Sequence, residues 1–140
     1  MDVPHNRVVP RSEISIDVEP GLRPELASRA RGGMLILDYF ATRRCSVVIG
    51  DLTAKFRPQP PGERYVELAS IDGIRVFAAE RLLPLLAAAG PTLRLAGPRI
   101  AQYLALWLDQ PERWIEFLEQ PGVLAGKRPW RRRSRSPAVR

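Results

Sequence analysis

Apolar and polar residues alternate strictly near the start of the chain. In SEISIDVEPG the apolar residues between positions 14 and 18 fall on one side and the polar residues on the other. This two-residue period predicts a half-buried strand that ends at Pro20. The next stretch, RPELASRARGG, predicts a short helix, since Pro24 suits a first turn and Gly32 suits the position beyond the last.

Two apolar stretches follow, MLILDYFA (34–41) and CSVVIGDLTAKF (45–56), both rich in β-branched and aromatic residues. Such residues favour strands, and the three residues TRR between them predict a hairpin with a three-residue loop. Alternation places Thr53 and Lys55 on the strand face opposite Leu52.

The sequence YVELASIDGIRVFA contains the clearest turn signal, an Asp72-Gly73 pair between two apolar strands. Asp-Gly tolerates the two positive φ angles of a type I′ turn, so a two-residue β-hairpin is predicted. The predicted cross-strand pairs are Ile71 with Ile74, Ala69 with Val76 and Leu68 with Phe77.

The rest of the chain is predicted to be mainly helical. ERLLPLLAAAGP reads as a helix ending at Gly90, and TLRLAGP as a short strand. The apolar residues of IAQYLALWLD fit both a helical stripe and the alternation of a strand. We favour a helix because its residues are mostly good helix formers. In DQPERWIEFLEQPG, Asp109 and Glu112 have the spacing of a capping box, which predicts a helix that buries Trp114 and Phe117.

Strands therefore come first and helices later, an order typical of α+β folds. We expect an antiparallel sheet of five or six strands, with two or three helices from the C-terminal half packed on one face, and a disordered basic C-terminal tail. The expected organisation is a flexible segment over 1–12, a single domain over 13–125 and the tail over 126–140.

The net charge of +7 is concentrated at the C-terminus. Residues 127–140 hold seven of the 22 basic residues and no acidic one, so the other 15 basic residues balance the 15 acidic ones. The predicted domain is therefore neutral as a whole, and we expect any contact with nucleic acid to be made through the tail only.

The tail itself has the residue types that bind phosphate groups. Basic side chains on an extended segment neutralise phosphates and release counterions, and an aromatic ring such as Trp130 can stack on a base. The predicted anion-contacting residues are Lys127, Arg128, Trp130, Arg131, Arg132, Arg133 and Arg135.

The chain lacks the residues that several kinds of functional site require. The chain has one His and one Cys, so neither zinc spacing nor a His-based nucleophile arrangement occurs, and no phosphate-binding glycine loop is found. We expect no metal, no cofactor and no catalytic residue. The N-terminus lacks the apolar segment of a signal peptide and no apolar run has the length of a membrane span, so we expect a cytoplasmic protein without membrane contact.

Cys45 is a candidate reactive thiol because Arg43 and Arg44 precede it, and adjacent positive charge favours the thiolate. Free cysteines are also among the most buried residues, and we favour a buried, structural Cys45. The stretch DGIRVFAAERLLPLL resembles the late hairpin of A-type iron–sulfur carriers. The paired C-terminal cysteines of that family are absent, so its chemistry does not transfer.

The sequence thus favours a small non-catalytic binding or accessory protein. We expect it to contact another macromolecule, with a protein as the first expectation, and to reach an acidic surface of nucleic acid or protein with its tail. The alternatives are an accessory factor in redox or iron–sulfur chemistry acting through Cys45, and a subunit of an enzyme whose site a partner completes. The oligomeric state is left open.

Overall fold

The computed structural model describes residues 14–124, which form seven strands and three α-helices. The strands are β1 (Asp17–Val18), β2 (Met34–Arg44), β3 (Val47–Arg57), β4 (Tyr65–Ile71), β5 (Ile74–Ala79), β6 (Pro91–Ala96) and β7 (Tyr103–Leu108). The helices are α1 (Leu26–Ala30), α2 (Leu83–Ala89) and α3 (Glu112–Leu118). Short 3₁₀ turns precede α1, α2 and β7.

The strands are divided between two sheets. One has the order β3-β2-β5-β4 and the other the order β1-β6-β7. Each sheet mixes strand directions, because β2 pairs in parallel with β5 and β1 in parallel with β6. The predicted α+β class is confirmed, but the prediction of a single antiparallel sheet was wrong. Alternation along a strand identifies its buried face without identifying its neighbour. The predicted segments 1–12 and 126–140 lie outside the described residues.

One apolar core lies between the two sheets and the helices. Leu37 of the four-stranded sheet and Leu93 of the three-stranded sheet are both fully buried, and Leu86 contributes from α2. Burial of such side chains is the main favourable term in folding. The core therefore fixes which face of each sheet points outward.

The β2–β3 hairpin is longer than the sequence predicted. Its strands pair from Met34–Arg57 to Arg44–Val47, so the turn is the two residues Cys45 and Ser46 and not TRR. The strand pairing continues through Arg43 and Arg44, because both side chains are exposed and neither charge has to be buried. Near the turn, the outward face carries the exposed apolar side chains Phe40, Val47 and Ile49.

The Asp72-Gly73 turn is confirmed. Asp72 has φ of 50° and Gly73 has φ of 85°, and Ile71 pairs with Ile74. Beyond this pair the predicted register was wrong by one residue. A β-bulge between Leu68 and Ile71 shifts the partners to Leu68–Val76 and Glu67–Phe77. The bulge keeps Leu68 on the core face, where it is 5% exposed.

Replacing Gly73 by Val should destabilise this hairpin. A β-branched residue resists positive φ, and holding one there costs about 1–3 kcal/mol. We expect the free energy of unfolding, measured by urea denaturation, to fall by that amount. Gly62→Val is the control, because Gly62 has no positive φ and no atom near its missing Cβ. Equal stability of the two variants would contradict the turn assignment.

The segment predicted as a helix over IAQYLALWLD is strand β7. It pairs with β6 from Pro91–Leu108 to Ala96–Tyr103. Leu106 is buried against the core, while Tyr103 and Trp107 point outward. Strand pairing therefore outweighed helix propensity, which is a weak preference that tertiary contacts commonly override.

Helix α3 is where the sequence predicted a helix, but it begins without the predicted cap. Pro111 precedes its first residue and no side chain caps it. The carboxylate of Asp109 lies instead against Gly90, where a Cβ would come within 2.9 Å of Oδ2. Phe117 is buried as predicted. None of the helices within 14–124 is long and apolar enough to cross a membrane.

Candidate functional site: a basic cleft between two sheet edges

A cleft of about 590 Å³ opens where the two sheets diverge. Its walls are the end of α1 with the following loop, residues 54–58 at the end of β3, and Leu104 of β7. β3 and β7 are edge strands of different sheets that lie side by side without pairing. The cleft is therefore bordered by two strand edges, whose unpaired backbone groups are open to a ligand.

Four basic residues belong to the lining of this cleft: Arg29, Arg31, Lys55 and Arg57. No acidic residue belongs to its described lining. Within 14–124, Arg29 pairs with Glu25 at 3.2 Å, whereas Arg31, Lys55 and Arg57 form no ion pair. Three basic residues without an ion pair at the border of one cleft favour a local positive potential that attracts anions.

The local chain geometry explains this clustering. The last turn of α1 closes with Arg31 in the left-handed region, at φ of 52°, followed by Gly32 at 78°. This reversal brings Arg29 of α1 and the following Arg31 beside β3. On β3, the two-residue period places Lys55 and Arg57 on one face.

Gly33 holds the two walls of the cleft together. A Cβ on Gly33 would lie 2.6 Å from the carbonyl oxygen of Arg57 and 3.0 Å from that of Ala30. Both atoms belong to the backbone and cannot rotate away. Only glycine therefore permits this approach of the α1–β2 loop to β3, and the spacing of the cations depends on it.

The net charge summed over the whole domain does not predict this cleft. A neutral total conceals an uneven distribution. The signal available was the pair of patterns Arg-x-Arg at 29–31 and Lys-x-Arg at 55–57. The second pattern, on a predicted strand, already implied two cations on one face; the approach of α1 to β3 was not readable from sequence.

Cys45 occupies the tip of the β2–β3 hairpin, with φ of 54°. Its side chain is exposed, so the prediction of a buried thiol was wrong. A turn residue at a hairpin tip has no core to face, and the shift of the turn from TRR to Cys45-Ser46 moved it there. Arg43 and Arg44 are exposed on the adjacent strand end. Ten residue pairs separate this tip from the Met34–Arg57 end, about 33 Å, so Cys45 lies far from the cleft.

A second polar group lies on the outer face of the four-stranded sheet. The Tyr65 hydroxyl donates a hydrogen bond to Asp38 on the far side of β5. This hydrogen bond, aided by burial and by the carboxylate charge, raises the pKa of Tyr65 to about 12, while the charge of Arg57 acts in the opposite direction. Tyr65 therefore stays protonated at neutral pH and has a pKa far from the optimum for acid–base catalysis.

Asp51 and Asp72 have structural partners. Asp51 accepts the backbone N–H of Leu52 at 2.8 Å, and Asp72 pairs with Arg23 at 2.6 Å. Across the described residues, no group of three His, Cys, Asp or Glu side chains is placed to hold a metal ion.

The predicted anion-contacting residues of the tail lie outside the described residues. They are Lys127, Arg128, Trp130, Arg131, Arg132, Arg133 and Arg135. Their contribution stays a prediction.

No protein family, curated protein or solved structure matches this chain.

Proposed function

We propose that this chain is a non-catalytic nucleic-acid-binding accessory protein that holds backbone phosphates in the basic cleft. The observation that carries the proposal is that three basic residues without ion-pair partners, Arg31, Lys55 and Arg57, belong to the lining of one cleft that has no acidic residue in its described lining. The basic stretch 126–140 would supply further phosphate contacts.

Phosphate suits the residue types better than carboxylate-bearing small ligands do. Arginine presents a planar fork of donors that matches phosphate oxygens, and the unpaired edge of β3 adds backbone N–H groups of the kind that position phosphates. Repeated phosphates also suit a surface that extends from a cleft to a separate basic segment, because several weak contacts then act together.

The proposed binding has little sequence preference. Cations that contact phosphates carry no base information. No helix of the described chain presents a row of basic residues that could enter a groove: α1 has one arginine, and α2 has no charged residue. The proposal therefore predicts an affinity governed by salt and chain charge.

A role in redox or iron–sulfur chemistry has less support. Cys45 is exposed, but it is the chain's single cysteine and His5 its single histidine. An iron–sulfur cluster needs several thiolate or imidazole ligands, and one chain cannot supply them.

A salt titration tests the proposal. Binding of the full chain to a fluorescent single-stranded oligonucleotide should weaken steadily as salt rises, with a log–log slope steeper than about −2, because each phosphate contact contributes about −0.7. Polyglutamate, which has carboxylates in place of phosphates, is the comparison ligand. No binding to the oligonucleotide at low salt, or tighter binding to polyglutamate, would refute the proposal and favour an acidic protein partner.

A further inference from the structure

The outer face of the three-stranded sheet carries two exposed aromatic side chains on one strand. Tyr103 is 58% exposed and Trp107 is 52% exposed, both on β7. Exposed large aromatics are common in binding sites, since they offer a broad apolar surface with few degrees of freedom to lose. The two rings share the outward face of the strand because they are four residues apart.

Both rings are held in place by their neighbours. The guanidinium of Arg94 lies 4.6 Å from the centre of the Trp107 ring, a cation–π contact. Arg94 is itself oriented by Glu19 at 3.8 Å. The Tyr103 ring lies against Gly97, where a Cβ would come within 2.8 Å of the ring. A surface that is already ordered loses little entropy when it binds.

The spacing of the rings fits separate bases of an extended strand. Four residues of a β-strand span about 13 Å, which is far enough for the two rings to contact different nucleotides of one strand. Ala105 lies between the rings and Ala96 beside Tyr103. These small side chains leave the surface beside Tyr103 open, whereas Arg94, the cross-strand partner of Ala105, covers one face of the Trp107 ring.

The aromatic face and the basic cleft border the same strand. Leu104, which belongs to the lining of the cleft, follows Tyr103 in β7, so its side chain is on the face of the strand opposite the two rings. A strand of nucleic acid that crosses the edge of β7 would place its phosphates at the cleft and its bases at Tyr103 and Trp107.

We infer that β7 is a stacking platform for unpaired bases and that the ligand is single-stranded nucleic acid. Base stacking on aromatic side chains tolerates all bases. This agrees with a cleft that contacts phosphates and does not distinguish between bases. This inference rests on the proposed function, because the cleft supplies the phosphate contacts.

The test compares oligothymidylate with an abasic oligomer of the same length, which has the same phosphates and no bases. The full chain should bind oligothymidylate at least about 10-fold more tightly. Trp107→Ala and Tyr103→Ala should each lower that affinity about 10-fold and leave binding to the abasic oligomer unchanged. Trp107→Phe should retain most of the affinity, while oligothymidylate should quench less of the tryptophan fluorescence, because only Trp114 and Trp130 remain.

Ile115→Ala is the control, because Ile115 is an apolar side chain on α3 that is also 55% exposed. Equal binding of the full chain to both oligomers would overturn the stacking inference and leave the proposed function standing. A fall in both affinities on Trp107→Ala and Tyr103→Ala would also overturn it. Failure of the full chain to bind either oligomer would overturn the proposed function and the inference together.

Discussion

Reversing two charges in the cleft, Lys55→Glu with Arg57→Glu, is expected to lower the affinity for single-stranded nucleic acid at least about 100-fold. Each hydrogen bond to a charged group contributes about 1.5–3 kcal/mol, so loss of two contacts removes about 3 kcal/mol at the lower limit, and every ~1.4 kcal/mol is tenfold. Both side chains are exposed, so the fold should keep its melting temperature. Fluorescence anisotropy at fixed salt measures the change.

Arg43→Glu with Arg44→Glu is the matched control for this experiment. It changes the net charge equally on the same hairpin, at the opposite end, and these side chains are also exposed. If net charge alone governs binding, both double variants lose affinity equally and the cleft has no special role. The proposal requires a much larger loss for the cleft variant.

Leu37→Ala is expected to lower the free energy of unfolding by about 3–5 kcal/mol, in the upper part of the range for buried leucines. Leu37 is fully buried in the centre of the four-stranded sheet. Its neighbours across both strands are Ala54 and Ala78. These alanines are too small to fill the space that the leucine leaves, so a cavity persists.

Ile49→Ala on the same hairpin provides the comparison for Leu37→Ala. Ile49 is 45% exposed on the outward face, and substitutions at such positions change stability by about 0.5 kcal/mol or less. Urea denaturation measures both variants. Similar losses for the two would mean that the inward and outward faces of the hairpin are assigned wrongly.

Local signals in the sequence predicted local structure well. The Asp72-Gly73 turn follows from the φ angles that these residues tolerate, and α2 ends at Gly90 in the left-handed region, as its position beyond the last apolar residue indicated. Such features depend on a few adjacent residues. They do not depend on which other segment lies beside them.

Features set by distant partners were not predictable in the same way. The apolar pattern of β7 fits both a helix and a strand, and its pairing with β6 makes it a strand. The parallel pairing of β2 with β5 brings together segments about 40 residues apart. The turn at Cys45 moved because Arg43 and Arg44 extend the strand at no cost in burial.

The candidate site was the least predictable part, since it joins three segments. Arg31, Arg57 and Leu104 are distant in the chain. Gly33 allows the α1–β2 loop to approach β3, and β7 lies beside β3. Residue type alone identified the basic tail as the anion-binding segment. The cleft can be recognised only from the positions of the individual charged residues and not from the net charge.

Binding by a chain that lacks residues 126–140 tests the central claim most directly. If the cleft binds phosphates, this shortened chain should still bind a single-stranded oligonucleotide at low salt, with a log–log salt slope of about −2 for the three uncompensated cations. Lys55→Glu with Arg57→Glu in the shortened chain should then abolish binding. A shortened chain that keeps its melting temperature and binds nothing at low salt would contradict the claim and assign all nucleic-acid contact to the tail.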